Sequence, residues 1–544
     1  MIREVNIDEI QAAPIPWINW RMNQSAGGRR IVPTSLSDLV ASVLYAEQRE
    51  AQIKAVGSSW SFTGAAKPED FWVDLEQLNR QLPTNMNNLV RPGLDASRYV
   101  HVEAGIKLHA LNERLWAQGR ALHSLGGSQG QSLAGAISTG THGGDFDRPP
   151  LADAVRAIHL VSRGGQEFWL EPEGEHLTTG NTLTIPEWFG GVKIIRENAV
   201  FNAALVSMGR CGIVYSYVLE VEEAYYLEEW RYNALWQGQV GGKLEVMRHT
   251  LLMASLNGFD NALAGQRSPL GSPNPLHYLQ VDIDPNGVEA AYVTKRWATQ
   301  SSSRIDNPPS KPTTFARDAH WIGWLKTNLG LFPHHVYLDL VRSTFGQQRY
   351  PRLVRDRSYY ASAGRPDPYP NYQAQMEAMW KDQWRVDSIE FFFDANNPNY
   401  LKFIDELKNT WNNSPGRKTG YISLRFMGQS RATMAMQRWS VTVSVECTFF
   451  KGFPGNDIGI LNALALGTQY GAVFHWGQLT PPGYALQIPN IFGSSLTDWR
   501  TAIADLGLIP EGTFSTEFSQ KYQFEPIEIN AHCASDDNLL LLMG

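Results

Sequence analysis

The stretch from Gly126 to Gly144, GGSQGQSLAGAISTGTHGG, holds seven glycines among small Ser, Thr and Ala residues. A backbone this bare lies almost flush against whatever it packs on. It offers N–H and hydroxyl groups without side-chain bulk. That suits a flat, phosphate-bearing ligand, and a glycine-rich surface loop is the plain alternative. The neighbouring segments decide between the two.

Upstream, Ser35 and Asp38 make a capping-box-like start to a helix whose Leu36, Leu39, Val40, Val43 and Leu44 share one face. A strand at Ile53–Val56 runs straight into Gly57-Ser58-Ser59-Trp60-Ser61-Phe62, a turn that aims backbone N–H groups at an anion. A strand at Tyr99–Glu103 and a helix carrying Leu108, Leu111 and Leu115 follow, with Gly119 placed to end the helix. Past the glycine-rich run, Ala154–Ser162 alternates as a strand and Met208–Val214 leads into another. From about Glu223 the texture becomes aromatic-rich. Strands are expected at Ser388–Phe393, Gly420–Phe426 and Trp439–Phe450, a helix at Tyr400–Trp411, and a loop at Gln300–Thr314.

A chain of 544 residues exceeds one core, so two or more domains are expected. The net charge of −7, with no Lys/Arg cluster, argues against nucleic acid. Three scattered cysteines, Cys211, Cys447 and Cys533, make neither a metal spacing nor a disulfide framework. With no signal-like start and no apolar run long enough for a bilayer, the reading is cytoplasmic, with no membrane partner. No metal is expected. His334-His335 with Asp339 is an incidental pair, because adjacent strand residues point to opposite faces. Gly126–Gly130 also fits the G-x-S-x-G nucleophile elbow of a serine hydrolase. It lacks the buried strand before it, and the residues after it are too glycine-rich for a good helix.

In this order the segments resemble the vanillyl-alcohol-oxidase (PCMH-type FAD-binding) superfamily, nearest to the aldonolactone, alditol and type II cholesterol oxidases. The matching stretches are AVGSSWSF (Ala55–Phe62), VDLEQLN (Val73–Asn79), VEAGIKL (Val102–Leu108), AGAISTGTHGGD (Ala134–Asp145), MGRCGIV (Met208–Val214), the HWG beginning at His475, and LIPEGTF (Leu508–Phe514). The resemblance implies an α+β chain of two domains. A PCMH-type FAD-binding domain would span 1–222, an α+β substrate cap 223–490, and a segment returning to the FAD domain 491–544. FAD would be held by Val56, Gly57, Ser58, Ser59, Trp60, Ser61, Phe62, Gly127, Ser132, Gly135, Thr139, Gly140, Thr141, His142, Ile213, Val214 and His475.

Relatives that link flavin covalently carry a histidine where this chain has Trp60, so non-covalent FAD is implied. Gln478 stands in place of a lysine as a neutral donor, and Ser423 in place of a glutamate. Arg425 is retained as an oxyanion or flavin-charge partner, and Glu446, alone in an apolar strand, is the candidate base. The implied activity is hydride transfer from a CH–OH or CH–NH carbon of a small molecule to flavin, with O2 as acceptor. The alternatives are an oxidase of a complex secondary metabolite, in which oxidation leads to cyclisation or rearrangement, and a flavin-binding protein that has lost catalysis. Substrate identity and oligomeric state are not readable.

Overall fold

The structure, a computed structural model, describes residues 10–83, 89–127, 129–179, 192–269, 271–287, 289–300, 368–370, 386–450 and 455–527. His334, His335, Asp339, Cys533 and all of the Gln300–Thr314 loop except Gln300 lie outside these residues.

Helix Leu36–Glu47 starts at Ser35, whose Oγ accepts from the Asp38 N–H at 3.2 Å. The Asp38 carboxylate accepts in turn from the N–H of Thr34, one residue earlier than a capping box requires, at 2.9 Å. Its buried face shares a core with a small parallel sheet in the order Arg29–Ile31, Phe71–Asp74, Ile53–Val56. A second sheet, of six strands, runs Lys193–Arg196, Glu167–Glu171, Val155–Val161, Ile213–Glu220, Tyr99–Glu103, Gln81–Leu82. Helix Leu108–Ala117 follows the Tyr99–Glu103 strand, and Gly119, at φ +68°, closes it as the C′ glycine.

The glycine-rich run contains a helix that its composition argues against, Leu133–Ser138. Tertiary packing overrides propensity there, since Leu133, Ala136 and Ile137 are all buried. The strand before the run, Arg120–Ala121, has two residues and pairs antiparallel with Glu222–Glu223. The elbow of a serine hydrolase needs a buried parallel strand at that point.

The aromatic-rich half builds one antiparallel eight-stranded sheet. Its order is Pro368–Pro370, Tyr226–Leu235, Ala290–Thr299, Leu276–Ile283, Gly420–Gly428, Val441–Phe450, Val386–Asp394, Val473–Phe474. Opposed residues share a face, so the register sorts the side chains into two sets. Ile389, Phe391, Ile422, Leu424, Val443, Val445, Leu279 and Val281 form an apolar face. Helices Asn399–Asn412 and Asn456–Gln469 cover it, with Phe391 against Phe403 and Trp411 donating to Gly459 O at 3.0 Å. Across the other face run Asp282, Ser423, Glu446 and Glu390 in one row, and Gln280, Arg425 and Ser444 in the next. A polar row in a buried sheet needs partners, and this face turns toward the glycine-rich run.

Several hydrogen bonds and packing contacts tie the two halves together. Leu279 N–H donates to Gly144 O at 3.3 Å and Phe146 N–H to His277 O at 2.9 Å. Phe62 N–H donates to Gly477 O at 2.7 Å, and Thr63 Oγ1 to Trp476 O at 2.5 Å. The C-terminal helix Ser494–Ala504 packs on helix Asn198–Leu205 through Trp499, whose Nε1 donates to Ala203 O at 3.0 Å.

Candidate active site

A cavity of about 280 Å³ lies between the turn after strand Ile53–Val56 and the polar face of the large sheet. At the turn the backbone does the work. Ser59 sits at φ +58°, held by Trp17 Nε1 donating to its hydroxyl at 2.8 Å. Gly57 must be glycine, because a Cβ there would stand 2.0 Å from Ser132 Oγ. Ser58 Oγ donates to Gly130 O at 2.7 Å and accepts from Lys107 Nζ at 2.8 Å. The N–H groups of Gly57, Ser58, Ser59, Trp60 and Ser61 donate to no acceptor among the described residues. Consecutive open amides beside a positive-φ residue form a concave anion cradle, which fits a diphosphate. The Trp60 ring lies over Gly130, where a Cβ would meet it at 2.7 Å.

At the sheet end the polar groups satisfy one another. Arg425 Nη2 donates to Glu390 Oε1 at 2.7 Å and to Glu446 Oε2 at 2.8 Å. Ser388 Oγ donates to Glu446 Oε1 at 2.8 Å. His142 Nε2 stands 3.0 Å from Glu390 Oε1 and its Nδ1 2.9 Å from Gly143 O, so both ring nitrogens face oxygen. Burial alone would raise the Glu390 carboxyl; the charges of His142 and Arg425 win and hold it well below the usual carboxylate range. His475 behaves oppositely. Its Nδ1 accepts from the Gly477 N–H at 2.9 Å, and burial, with His142 and Arg425 adding their repulsion, lowers its pKa to about 4. It is a neutral imidazole carrying its proton on Nε2.

Gln478 Nε2 donates to Glu390 Oε2 at 3.0 Å and to Glu446 Oε1 at 3.4 Å. The donor expected of Gln478 is therefore spent within the protein. Its Oε1 has no partner among the described residues, so what it presents is an acceptor.

Of the sequence-derived candidates, Val56, Gly57, Ser58, Ser59, Trp60, Ser61, Phe62, Gly127, Ser132, Gly135, Thr139, Thr141, His142, Val214, His475, Arg425, Glu446 and Gln478 line this cavity. Gly140, Ile213 and Ser423 do not. Gly140 takes φ +75° in a turn against Met436. Ile213 points into the core because successive strand residues alternate, and Val214 takes the cavity side. Ser423 Oγ is buried against Gln280 Nε2 at 2.9 Å. Lys54 and Glu390 line the wall without having been singled out. A signal for Glu390 was available: it is a carboxylate set between Ile389 and the apolar run Phe391–Phe393.

His142, Glu390 and His475 offer ligand atoms within 4.8 Å of one another. A divalent cation there would meet the Arg425 guanidinium already on the Glu390 oxygen, so the set reads as an ion-paired cluster. Where the run meets the sheet, buried Asp145 accepts from Ser124 Oγ at 2.9 Å. Burial pushes its pKa up to about 7; the Ser124 bond opposes this and Asp147 adds to it.

A turn of open amides thus faces the charged face of the eight-stranded sheet across one cavity. Residues 29–171 match the family model described as an FAD binding domain, in line with the resemblance to the PCMH-type FAD-binding superfamily. The chain is 31% identical over 210 residues to D-arabinono-1,4-lactone oxidase of Eremothecium gossypii, covering 38% of this chain and 34% of that one. It is 32% identical over 195 residues to L-gulono-1,4-lactone dehydrogenase of Mycobacterium tuberculosis, covering 36% and 42%. The matches thus span about a third to two fifths of those relatives' lengths. The fold is that of a cholesterol oxidase from B. sterolicum, with a TM-score of 0.65, 12% identity, and coverage of 95% of this chain and 98% of that one.

Proposed function

We propose that this chain is an FAD-dependent oxidoreductase, an oxidase rather than a dehydrogenase, acting on a CH–OH or CH–NH carbon of a small molecule with O2 as acceptor. The observation that carries this reading is the single cavity shared by the open-amide turn and the Arg425–Glu390–Glu446 cluster. Bound FAD would supply the hydride acceptor. Glu446, fixed by Ser388 and Arg425, takes the proton of the substrate's hydroxyl or amine. Arg425 holds negative charge that develops beside it, and His475 offers an Nε2–H without adding charge. The Gln478 carbonyl orients a donor of the ligand. The pairing of Arg425 with both Glu390 and Glu446 speaks for retained chemistry over a binding-only role.

In this reading 1–222 forms the FAD domain, 223–490 the cap, and 491–544 a return. The Trp499–Ala203 bond and the Ile53 N–H donating to Thr513 O at 2.8 Å support the return. We take FAD as non-covalent, because the Trp60 ring offers no nucleophile for a flavin link. A cytoplasmic site fits the unpaired, buried Cys211 and Cys447. Among the described residues no helix is long and apolar enough to cross a membrane.

The test is an absorbance spectrum before and after acid precipitation, followed by a donor screen with peroxide detection, beginning with aldonolactones, polyols and amines. A flavin band that leaves with the supernatant, and peroxide formed with one donor class, are expected. A yellow pellet would overturn non-covalent binding. Flavin reduced by a donor yet reoxidised only by artificial acceptors would make the protein a dehydrogenase, and flavin that no donor reduces would favour a binding role.

A further inference from the structure

We propose that Lys54 supplies the positive charge that balances the diphosphate of FAD. The residue lies on strand Ile53–Val56, three residues before the turn begins at Gly57. Ile53 enters the core, and alternation turns Lys54 to the cavity wall. Its side chain is buried, and Nζ donates to Met208 O at 2.6 Å. Among the described residues no carboxylate stands within ion-pair distance of Nζ. Buried Arg210, whose charge acts on Lys54, already uses Glu525, at 2.8 Å, and Glu69 acts on Lys54 only from beyond ion-pair distance. Lys54 therefore brings to this end of the cavity a positive charge that no carboxylate pairs directly.

A buried ammonium with only a carbonyl for a partner is costly to maintain, and a structural role would be served as well by an apolar side chain. Burial first, and then Arg210, lower the Lys54 pKa to about 8, so it remains mostly charged at neutral pH. The open N–H groups of Gly57 to Ser61 begin three residues further along the chain. Surplus charge and open amides on one wall are complementary to an anion, and the FAD binding domain match over 29–171 specifies which anion.

The inference rests on that domain being loaded with FAD, and the experiment separates the two. FAD-stripped wild type, Lys54→Met and Lys54→Arg would be titrated with FAD and ADP, which carry the diphosphate, and with riboflavin and adenosine, which lack it. Thermal midpoints of the stripped proteins would be recorded alongside. The expected result is that Lys54→Met binds FAD and ADP at least about tenfold more weakly. Riboflavin and adenosine should bind it unchanged, Lys54→Arg should retain most of the affinity, and the stripped Met variant should melt no lower than wild type. Equal FAD affinity in wild type and Lys54→Met would overturn the assignment. A parallel loss for all four ligands would show that Lys54 only braces the Met208 loop. A wild type that binds no FAD would remove the domain reading and Lys54's role together.

Discussion

The two ends of the cavity solve opposite electrostatic problems. At the turn the protein presents open amides and a cation without a carboxylate, all complementary to something anionic from outside. At the sheet every charge has a partner of its own: Glu390 is shared by His142, Arg425 and Gln478, and Glu446 by Arg425 and Ser388. The first end is a receptor whose charge is completed by its ligand. The second is a preorganised cluster whose geometry is set before any ligand arrives, the condition under which electrostatic catalysis costs no reorganisation.

Substitutions at the sheet end should then disturb stability and chemistry while leaving FAD affinity intact. The largest effect is expected of Glu390→Gln, which leaves His142 and Arg425 without their shared anion. A loss of about 3–5 kcal/mol in chemical denaturation is expected, and an unchanged midpoint would mean that the cluster is not an ion pair in solution. Next comes Arg425→Ala. Anaerobic stopped-flow with the best donor should show flavin reduction slowed about 10²- to 10³-fold at unchanged FAD content. Equal rates would remove Arg425 from the mechanism, and lost FAD would erase the division between the two ends.

The junction sharpens the comparison through pH. Asp145, raised to about 7, binds its proton more tightly folded than unfolded, so its contribution to stability is present below about pH 4 and lost as pH rises through 7. Asp145→Asn should therefore stabilise the protein by about 2 kcal/mol at pH 8 and by little at pH 4. Equal stability of the two at pH 8 would contradict the raised pKa. His475 has the reverse sign. Lowered to about 4, it stays neutral when folded while the unfolded chain takes up a proton, so stability falls as pH drops from about 6.5 toward 4. His475→Gln should flatten that slope by about 1.4 kcal/mol per pH unit, and an unchanged slope would mean that the imidazole is not held neutral.

The first end was the more legible in the sequence, because its function is carried by local backbone chemistry. Gly57, Ser58 and Ser59 follow a strand directly, and their turn needs only adjacent residues to be recognised. The second end depends on pairings between distant segments: Glu390 opposes Glu446, and Ser423 opposes both Glu446 and Asp282, none of which a local pattern reveals. The resemblance places Ser423 in the site as the replacement for a glutamate two residues before Arg425, yet its hydroxyl is taken by Gln280, three sheet positions from Glu390. Gln478 reads as a donor and its Nε2 does donate, but to Glu390 and Glu446, which come from two strands distant in sequence. Lys54 was overlooked because an isolated lysine in a short strand ordinarily reads as solvated. Helix Leu133–Ser138 was hidden by Gly135, where an added Cβ would stand 3.0 Å from Ser132 Oγ.

The bond from Ile53 N–H to Thr513 O has a consequence for how the molecule is made. The strand that leads into the cofactor turn takes its outer hydrogen bond from a residue near the other end of the chain. During synthesis that edge stays open until Thr513 emerges, after the whole eight-stranded sheet. Closing so long a loop is slow and comes late, which leaves the nascent first half exposed to mispairing. Early FAD capture at the half-built turn would shorten that exposure, making the cofactor an assembly aid as well as a reagent.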